Sequence, residues 1–220
     1  METAEKQRTE VLKALTEFCK ENIDNDLLDF WIFKEHRLIY RLLHYFPIYD
    51  EWFKKFRNTD LIFVEIGVQN GGSVQMWKDY FGKDAKIIGV DIDPRCKQFE
   101  DDQISIEIGS QEDVNFWTEF KKKYPRVDIL LDDGGHTMNQ QIVTFQQMFP
   151  HIQEGGLYFC EDCHTSYWAK YGGGLGKAGT YIEFCKKLID ELNALHTAPG
   201  ALPPNYNTLH MGGASISTTA

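Results

Sequence analysis

Two patterns of apolar spacing divide the chain. Up to about residue 57, apolar side chains recur at helical intervals, first at Val11, Leu12, Leu15 and Phe18. They continue through the aromatic-dense stretch FWIFKEHRLIYRLLHYFPIYDEWFKKF, which ends at Phe56 and shows no strand pattern. From Leu61 the pattern changes to short β-branched runs ending in Gly or Asp, each followed by a helical stretch. That alternation builds a parallel sheet covered by helices on both faces, an α/β fold.

The runs predict strands over 61–67, 85–91, 104–109, 127–133 and 156–162. Between them, Ser73 can cap a helix carrying Val74, Trp77 and Phe81, and Asp113 one carrying Val114, Trp117 and Phe120. Met138, Ile142, Phe145 and Phe149 form a stripe that stops at Pro150. Thr180 and Glu183 make a capping box opening a helix to about His196, with Cys185, Leu188, Ile189, Leu192 and Leu195 on one face. The turn-rich tail leaves room for one further strand between Thr208 and Ser217. The organisation expected is a helical arm over 1–57 and one α/β domain over 58–220. The arm's aromatic residues suit a lid, an oligomer contact or core packing.

Composition narrows the partners. With 220 residues, 42% of them hydrophobic, the chain can bury one sizeable core. A net charge of -10 lacks the basic footprint that a nucleic-acid backbone attracts, so no nucleic acid is expected. The opening METAEKQRTEVLKALTEF has no unbroken apolar stretch for export or membrane insertion, and a cytoplasmic protein without a membrane partner is predicted. Five cysteines, odd in number and scattered, suit reduced thiols and no disulfides.

Open parallel sheets bind ligands beyond the carboxyl ends of their strands, where strand order reverses. The first strand ends there in Glu65, Gly67, Gly71, Gly72 and Ser73. This is not the G-x-G-x-x-G spacing of a dinucleotide fold, and it carries an acid. An acid beside a wide glycine loop suits the amino-acid head and sulfonium of S-adenosylmethionine (SAM), although the same glycines suit an ordinary turn. Asp91, ending the second strand, stands where a carboxylate meets a ribose diol, whereas Asp93 begins a turn at Pro94. Ser110 and Gln111, after the third strand, offer polar groups to an adenine edge or form a plain loop.

The fourth strand ends in Asp132, Asp133 and, past two glycines, His136; the fifth ends in Glu161 and Asp162. Acids converging from neighbouring strands repel unless a cation lies between them, and hard oxygen ligands select magnesium, or manganese in its place. Alternation along the strand favours Asp133 as the ligand with Asp132 behind it. Helix capping is the plainer role for these acids. His136 is placed to take a proton from a hydroxyl near the metal, or to serve as a cap or buried hydrogen-bonding group.

Cys160-Glu-Asp-Cys163-His164 matches the C-x-x-C-H of haem attachment and the C-x-x-C of a redox pair. Haem attachment implies export, and the strand alternation points Cys160 into the core, which argues against both. Zinc on Cys163 and His164 stays open.

Over about His44 to Leu195 the chain resembles the metal- and SAM-dependent sugar O-methyltransferases of macrolide and related antibiotic pathways. The segments VEIGVQNGGSVQMWKDYFG, IIGVDIDPRC, LLDDGGHTMNQQIVTFQQMFPHIQEGGLYFCED and SYW…YGGG carry the resemblance. It implies a Rossmann-like class I SAM-dependent methyltransferase fold, with Asp133, Glu161 and Asp162 holding magnesium and His136 as the base. SAM would contact Glu65, Gly67, Gly71, Ser73, Asp91, Ser110, Gln111 and Asp132. The acceptor would be a small-molecule glycoside and the protein a homo-oligomer. Two departures stand out: Ser110 replaces the acid usual before the Gln, and MGGASISTTA does not reproduce the family's closing pair of strands, which would truncate the sheet. The rival readings are a NAD-dependent oxidoreductase and a non-catalytic SAM-binding protein.

Overall fold

The computed structural model describes residues 25–34 and 37–194, together with the single positions 13 and 17. Five parallel strands, β1 (Ile62–Ile66), β2 (Lys86–Asp91), β3 (Ile104–Ile108), β4 (Val127–Asp132) and β5 (Ile152–Cys160), pair in the order β3-β2-β1-β4-β5. Order therefore reverses between β1 and β4, which fixes the carboxyl ends of these two strands as the ligand crevice. Strand β5 begins earlier than the apolar run, at Ile152. Gly155 takes a left-handed backbone (φ 78), and the register against β4 shifts between Val127 and Ile129, as a glycine bulge requires.

Helices α1 (Asp26–Phe33), α2 (Tyr45–Phe53) and α3 (Gly72–Phe81) cover one face; α4 (Val114–Lys123) and α5 (Met138–Met148) cover the other, and α6 (Tyr181–Leu192) packs on α5. Alternation along the strands sorts the core. Phe63, Ile87, Ile129 and Leu131 face α1 to α3, while Val64, Ile66, Ile88, Val90 and Leu130 face Trp117, Phe120 and Met148 of α4 and α5. Phe46, Tyr49 and Phe53 of α2 are buried among Phe63, Trp77 and Phe81, so the N-terminal segment and the sheet share one core. Each fully buried side chain of this size stabilises by roughly 1.5–3 kcal/mol.

Four expectations from spacing are corrected here. The helical reading of 30–56 holds only in part: α1 ends at Phe33, residues 38–42 have no regular structure, and α2 begins at Tyr45. Pro47 explains the restart, because only the first turn of a helix tolerates a residue without an N–H. Ser73 does not cap α3; the cap is Gly71 in a left-handed conformation (φ 72), and Ser73 turns inward. A Cβ on Gly71 would stand 2.5 Å from the Phe99 ring.

The buried face of α5 is Met138, Gln141, Thr144 and Met148, leaving Ile142, Phe145 and Phe149 half-buried. Its two polar members each donate one buried hydrogen bond, Gln141 Nε2 to the Glu161 carbonyl (3.1 Å) and Thr144 Oγ1 to the Gln111 carbonyl (3.3 Å), while Gln141 Oε1 has no partner among the described residues. Finally, α6 ends at Leu192, short of the helix expected to about His196. Its Thr180 cap does accept from the Glu183 N–H, as Asp113 caps α4. The stripe at Val11 to Phe18 and the strand at 208–217 lie outside the described residues. Among the described residues no helix is long and apolar enough to cross a membrane.

Candidate functional site

Beyond the carboxyl ends of β1 to β4 lies a cleft of about 210 Å3, bounded by Gly67, Gln69, Asp91, Ile92, Ser110, Gln111, Asp133, Gly134 and Gln140 among others. Gly67 makes it passable. With φ at 95, this residue lies so close to the fourth strand's end that a Cβ would stand 2.1 Å from the Asp133 carbonyl oxygen. Asp91 shapes the loop above it: Oδ2 accepts the N–H groups of Val68 (2.9 Å) and Gln69 (3.0 Å), and Oδ1 that of Asp93 (2.9 Å). Of the roughly four lone-pair sites on a carboxylate, about one is left for a ligand.

Four residues expected to bind a cofactor line this cleft: Gly67, Asp91, Ser110 and Gln111. Gln111 also braces the wall, its Nε2 donating to Asp132 (2.9 Å) and its Oε1 accepting from Gly135 N (2.8 Å). Asp132 itself is buried behind that wall, accepting from Gln111 and Gly134, and burial pushes its carboxyl up to about 6. Gly71 faces Phe99 rather than the cleft. Glu65 and Ser73 lie beneath it: as an inward residue of β1 under α3, Glu65 accepts from Ser73 Oγ (2.7 Å), Trp77 Nε1 (3.0 Å) and Arg41.

The acids gather at the next stretch of the same edge. Asp133 Oδ1 is 3.6 Å from His136 Nε2, and Asp162 Oδ2 is 3.7 Å from the same nitrogen. One ligand atom from each of these three residues lies within 4.8 Å of the others, and among the described residues no other group of three or more His, Cys, Asp or Glu does so. Cys163 and His164 belong to no such group among the described residues. Octahedral ligands at about 2.1 Å from a magnesium ion stand roughly 3–4 Å from one another, so this set fits a hard divalent cation. The chemistry agrees: burial and the charges of Glu161, Glu65 and Asp162 push the Asp133 carboxyl up to about 9 against the pull of Arg41, and a cation would relieve that load.

His136 is held in a left-handed backbone (φ 58), its carbonyl accepting from Thr165 Oγ1 (3.0 Å). Burial lowers its pKa, which keeps the ring neutral near pH 7, and its Nδ1 has no partner among the described residues. Glu161 is engaged elsewhere, Oε1 accepting from Arg41 Nη1 (2.9 Å) and from Tyr49 Oη. Asp162 Oδ1 accepts from Tyr45 Oη (3.0 Å).

Arg41, Tyr45 and Tyr49 are the residues that sequence reasoning missed. Arg41 reaches in from the irregular strap before α2, its side chain 1% exposed, and pairs with Glu65, Asp133 and Glu161 at once. Tyr45 and Tyr49 stand one turn apart on α2 and so share a face. The usable signal was Pro47, which marks a helix start and frees the preceding residues to cross the site; the tyrosines read only as aromatic bulk.

No family model matches the chain. It is 37% identical over 186 residues to demethylmacrocin O-methyltransferase of Streptomyces fradiae, covering 79% of this chain and 47% of that protein. To mycinamicin VI 2''-O-methyltransferase of Micromonospora griseorubida it is 33% identical over 186 residues, covering 77% and 46%. Among solved structures, the MycE methyltransferase of the mycinamycin biosynthetic pathway in complex with Mg and SAH matches with TM-score 0.65 at 34% identity, over 71% of this chain and 46% of that one. A second crystal form matches with TM-score 0.69 at 32% identity, over 78% and 45%. The chain spans about half the length of the curated relatives it matches.

Proposed function

The chain belongs to the metal- and SAM-dependent sugar O-methyltransferase family of macrolide and related antibiotic pathways, and we propose that it methylates a sugar hydroxyl of a glycosylated natural product. One observation carries this reading: Asp133 both lines the cleft and belongs to the acid and histidine cluster, so a methyl donor in the one adjoins a cation in the other.

The glycine loop after β1 would hold SAM, Asp91 offering a carboxylate to its ribose and Ser110 and Gln111 polar groups to its base. Ile92, 72% exposed in the cleft, offers the base an apolar surface. Asp133 and Asp162 would hold magnesium or manganese, and Glu161, one of whose oxygens is taken by Arg41 and Tyr49, would be the further acid beside them. When bound, SAM supplies an electrophilic methyl group and the cation lowers the pKa of an adjacent hydroxyl.

The rest falls to the chain's own residues. Neutral His136 takes the hydroxyl proton at Nε2, the nitrogen that faces Asp133 and Asp162. Asp162 stays placed by Tyr45, and Glu161 by Tyr49 and Arg41. No acid for a leaving group is required of the protein, whose residues contribute positioning and electrostatics.

The test is transfer of radiolabelled methyl from SAM to a panel of rhamnosides, with magnesium and with EDTA. Transfer to a sugar hydroxyl that stops in EDTA supports the proposal; metal-independent transfer removes the cation's role. A second role for His136 has support in its 3.6 and 3.7 Å distances, which also suit a metal ligand. If His136→Gln loses turnover and retains Mn2+ affinity, His136 is the base; if both fall together, it is a ligand.

A further inference from the structure

We propose that Cys160 and Cys163 are a reversible redox pair, closing to an intramolecular disulfide by exchange with a low-molecular-weight disulfide and clamping the Glu161-Asp162 corner between them. Strand alternation alone sends Cys160 into the core, yet as residues both cysteines are only half-buried, and both are free. Strand β5 ends at Cys160, the chain turns back through Asp162 in a left-handed conformation (φ 50), and a 3-10 helix over Cys163–Tyr167 begins at once. That reversal brings the Cys163 side chain back to Cys160.

Cys163 Sγ donates to the Cys160 carbonyl (3.4 Å), which sets the second thiol against the first cysteine. The turn is held closed by Thr165 N donating to the Asp162 carbonyl (2.9 Å). Tyr181, at the start of α6, is buried. Cys185, one turn further along α6, reaches Cys163 only at longer range and is the competing partner to exclude.

The chemistry balances. Cys163, as thiolate, attacks one sulfur of a disulfide RSSR and expels RS–, which takes up the proton that Cys163 lost. Cys160 thiolate then attacks Cys163 Sγ, the mixed disulfide breaks, and a second thiol leaves. Two protein thiols are oxidised by two electrons, and one RSSR becomes two RSH.

A disulfide fixes the Cβ separation and the torsion about sulfur, so closing it re-aims the two acids between the cysteines. It also pulls on the Glu161 N–H bond to the Asp132 carbonyl (2.9 Å) and the Gln141 bond to the Glu161 carbonyl (3.1 Å). Weaker cation binding follows, a consequence that rests on the metal reading above.

The full chain, reduced and then treated with glutathione disulfide, is quenched with N-ethylmaleimide and mapped by peptide mass. The expected result is loss of alkylation at Cys160 and Cys163 together, a connecting peptide lighter by two hydrogens, and full reversal by dithiothreitol. Cys185→Ser should leave this unchanged and Cys163→Ser should abolish it. A stable glutathione adduct on Cys163, a bond from Cys163 to Cys185, or no reaction overturns the proposal. Mn2+ titration of the two forms should show at least about tenfold weaker binding after oxidation; equal affinities would remove the clamp. If the reduced chain binds no Mn2+, the metal reading falls, and the peptide map still decides the disulfide.

Discussion

Replacing Arg41 with Met asks whether one guanidinium lets several buried acids coexist. Arg41 pairs with Glu65, Asp133 and Glu161, whose side chains are 0%, 19% and 5% exposed. Met retains most of the volume, so the loss is mainly electrostatic. Removing one partner of a buried ion pair costs about 3–5 kcal/mol because the other charge is stranded. Glu65 keeps its hydrogen bonds from Ser73 and Trp77, and Arg41 Nε has no partner among the described residues, which together place the loss near the lower end. For a domain of this size, about 3 kcal/mol lowers Tm by roughly 6–12 °C. A divalent cation at Asp133 and Asp162 would replace part of the missing charge. Unfolding followed by circular dichroism should therefore show a smaller deficit in saturating magnesium than in EDTA. A deficit below about 1 kcal/mol in EDTA, the scale of a surface pair, would refute the reasoning; so would the same deficit in both buffers.

Three further outcomes are expected. His136→Ala should lower turnover by about 10²–10⁴-fold while calorimetry finds SAM affinity within about threefold, since the ring does not line the cleft; unchanged turnover would remove its assigned role. Tyr45→Phe deletes the hydroxyl that orients Asp162 and should weaken Mn2+ binding by about 10–100-fold, read by calorimetry, and an unaltered affinity would contradict that orientation. Gly67→Ala forces a Cβ against the Asp133 carbonyl at φ 95 and should cost at least about 1–3 kcal/mol in urea unfolding; an unshifted midpoint would show that the contact can relax.

The three central strands were legible because, buried on both faces, they are short apolar runs that end at turns. The cluster was legible in part, since Asp133, His136, Glu161 and Asp162 all sit where strands end. What spacing could not show was the N-terminal contribution. The strap at 38–42 carries Leu38, Ile39 and Leu42 at helical intervals, and its path depends on packing against Gly72, where a Cβ would meet the Arg37 and Leu38 carbonyls. That contact is tertiary. Gln141 and Thr144 were passed over because polar side chains read as outward-facing, yet each finds a buried partner that only the folded chain supplies. Ser73 was misplaced for a related reason: Gly71 ends the turn first, and the hydroxyl is worth more to a buried Glu65 than to the helix end.

Paramagnetic broadening tests most directly that cation and methyl donor share one edge of the sheet. With 13C-methyl SAM bound to the chain, added Mn2+ should broaden the methyl resonance sharply in the wild type and leave it narrow in Asp133→Asn and Asp162→Asn. If SAM and Mn2+ both bind the wild type and the methyl resonance stays narrow, the two sites are far apart and the account is wrong.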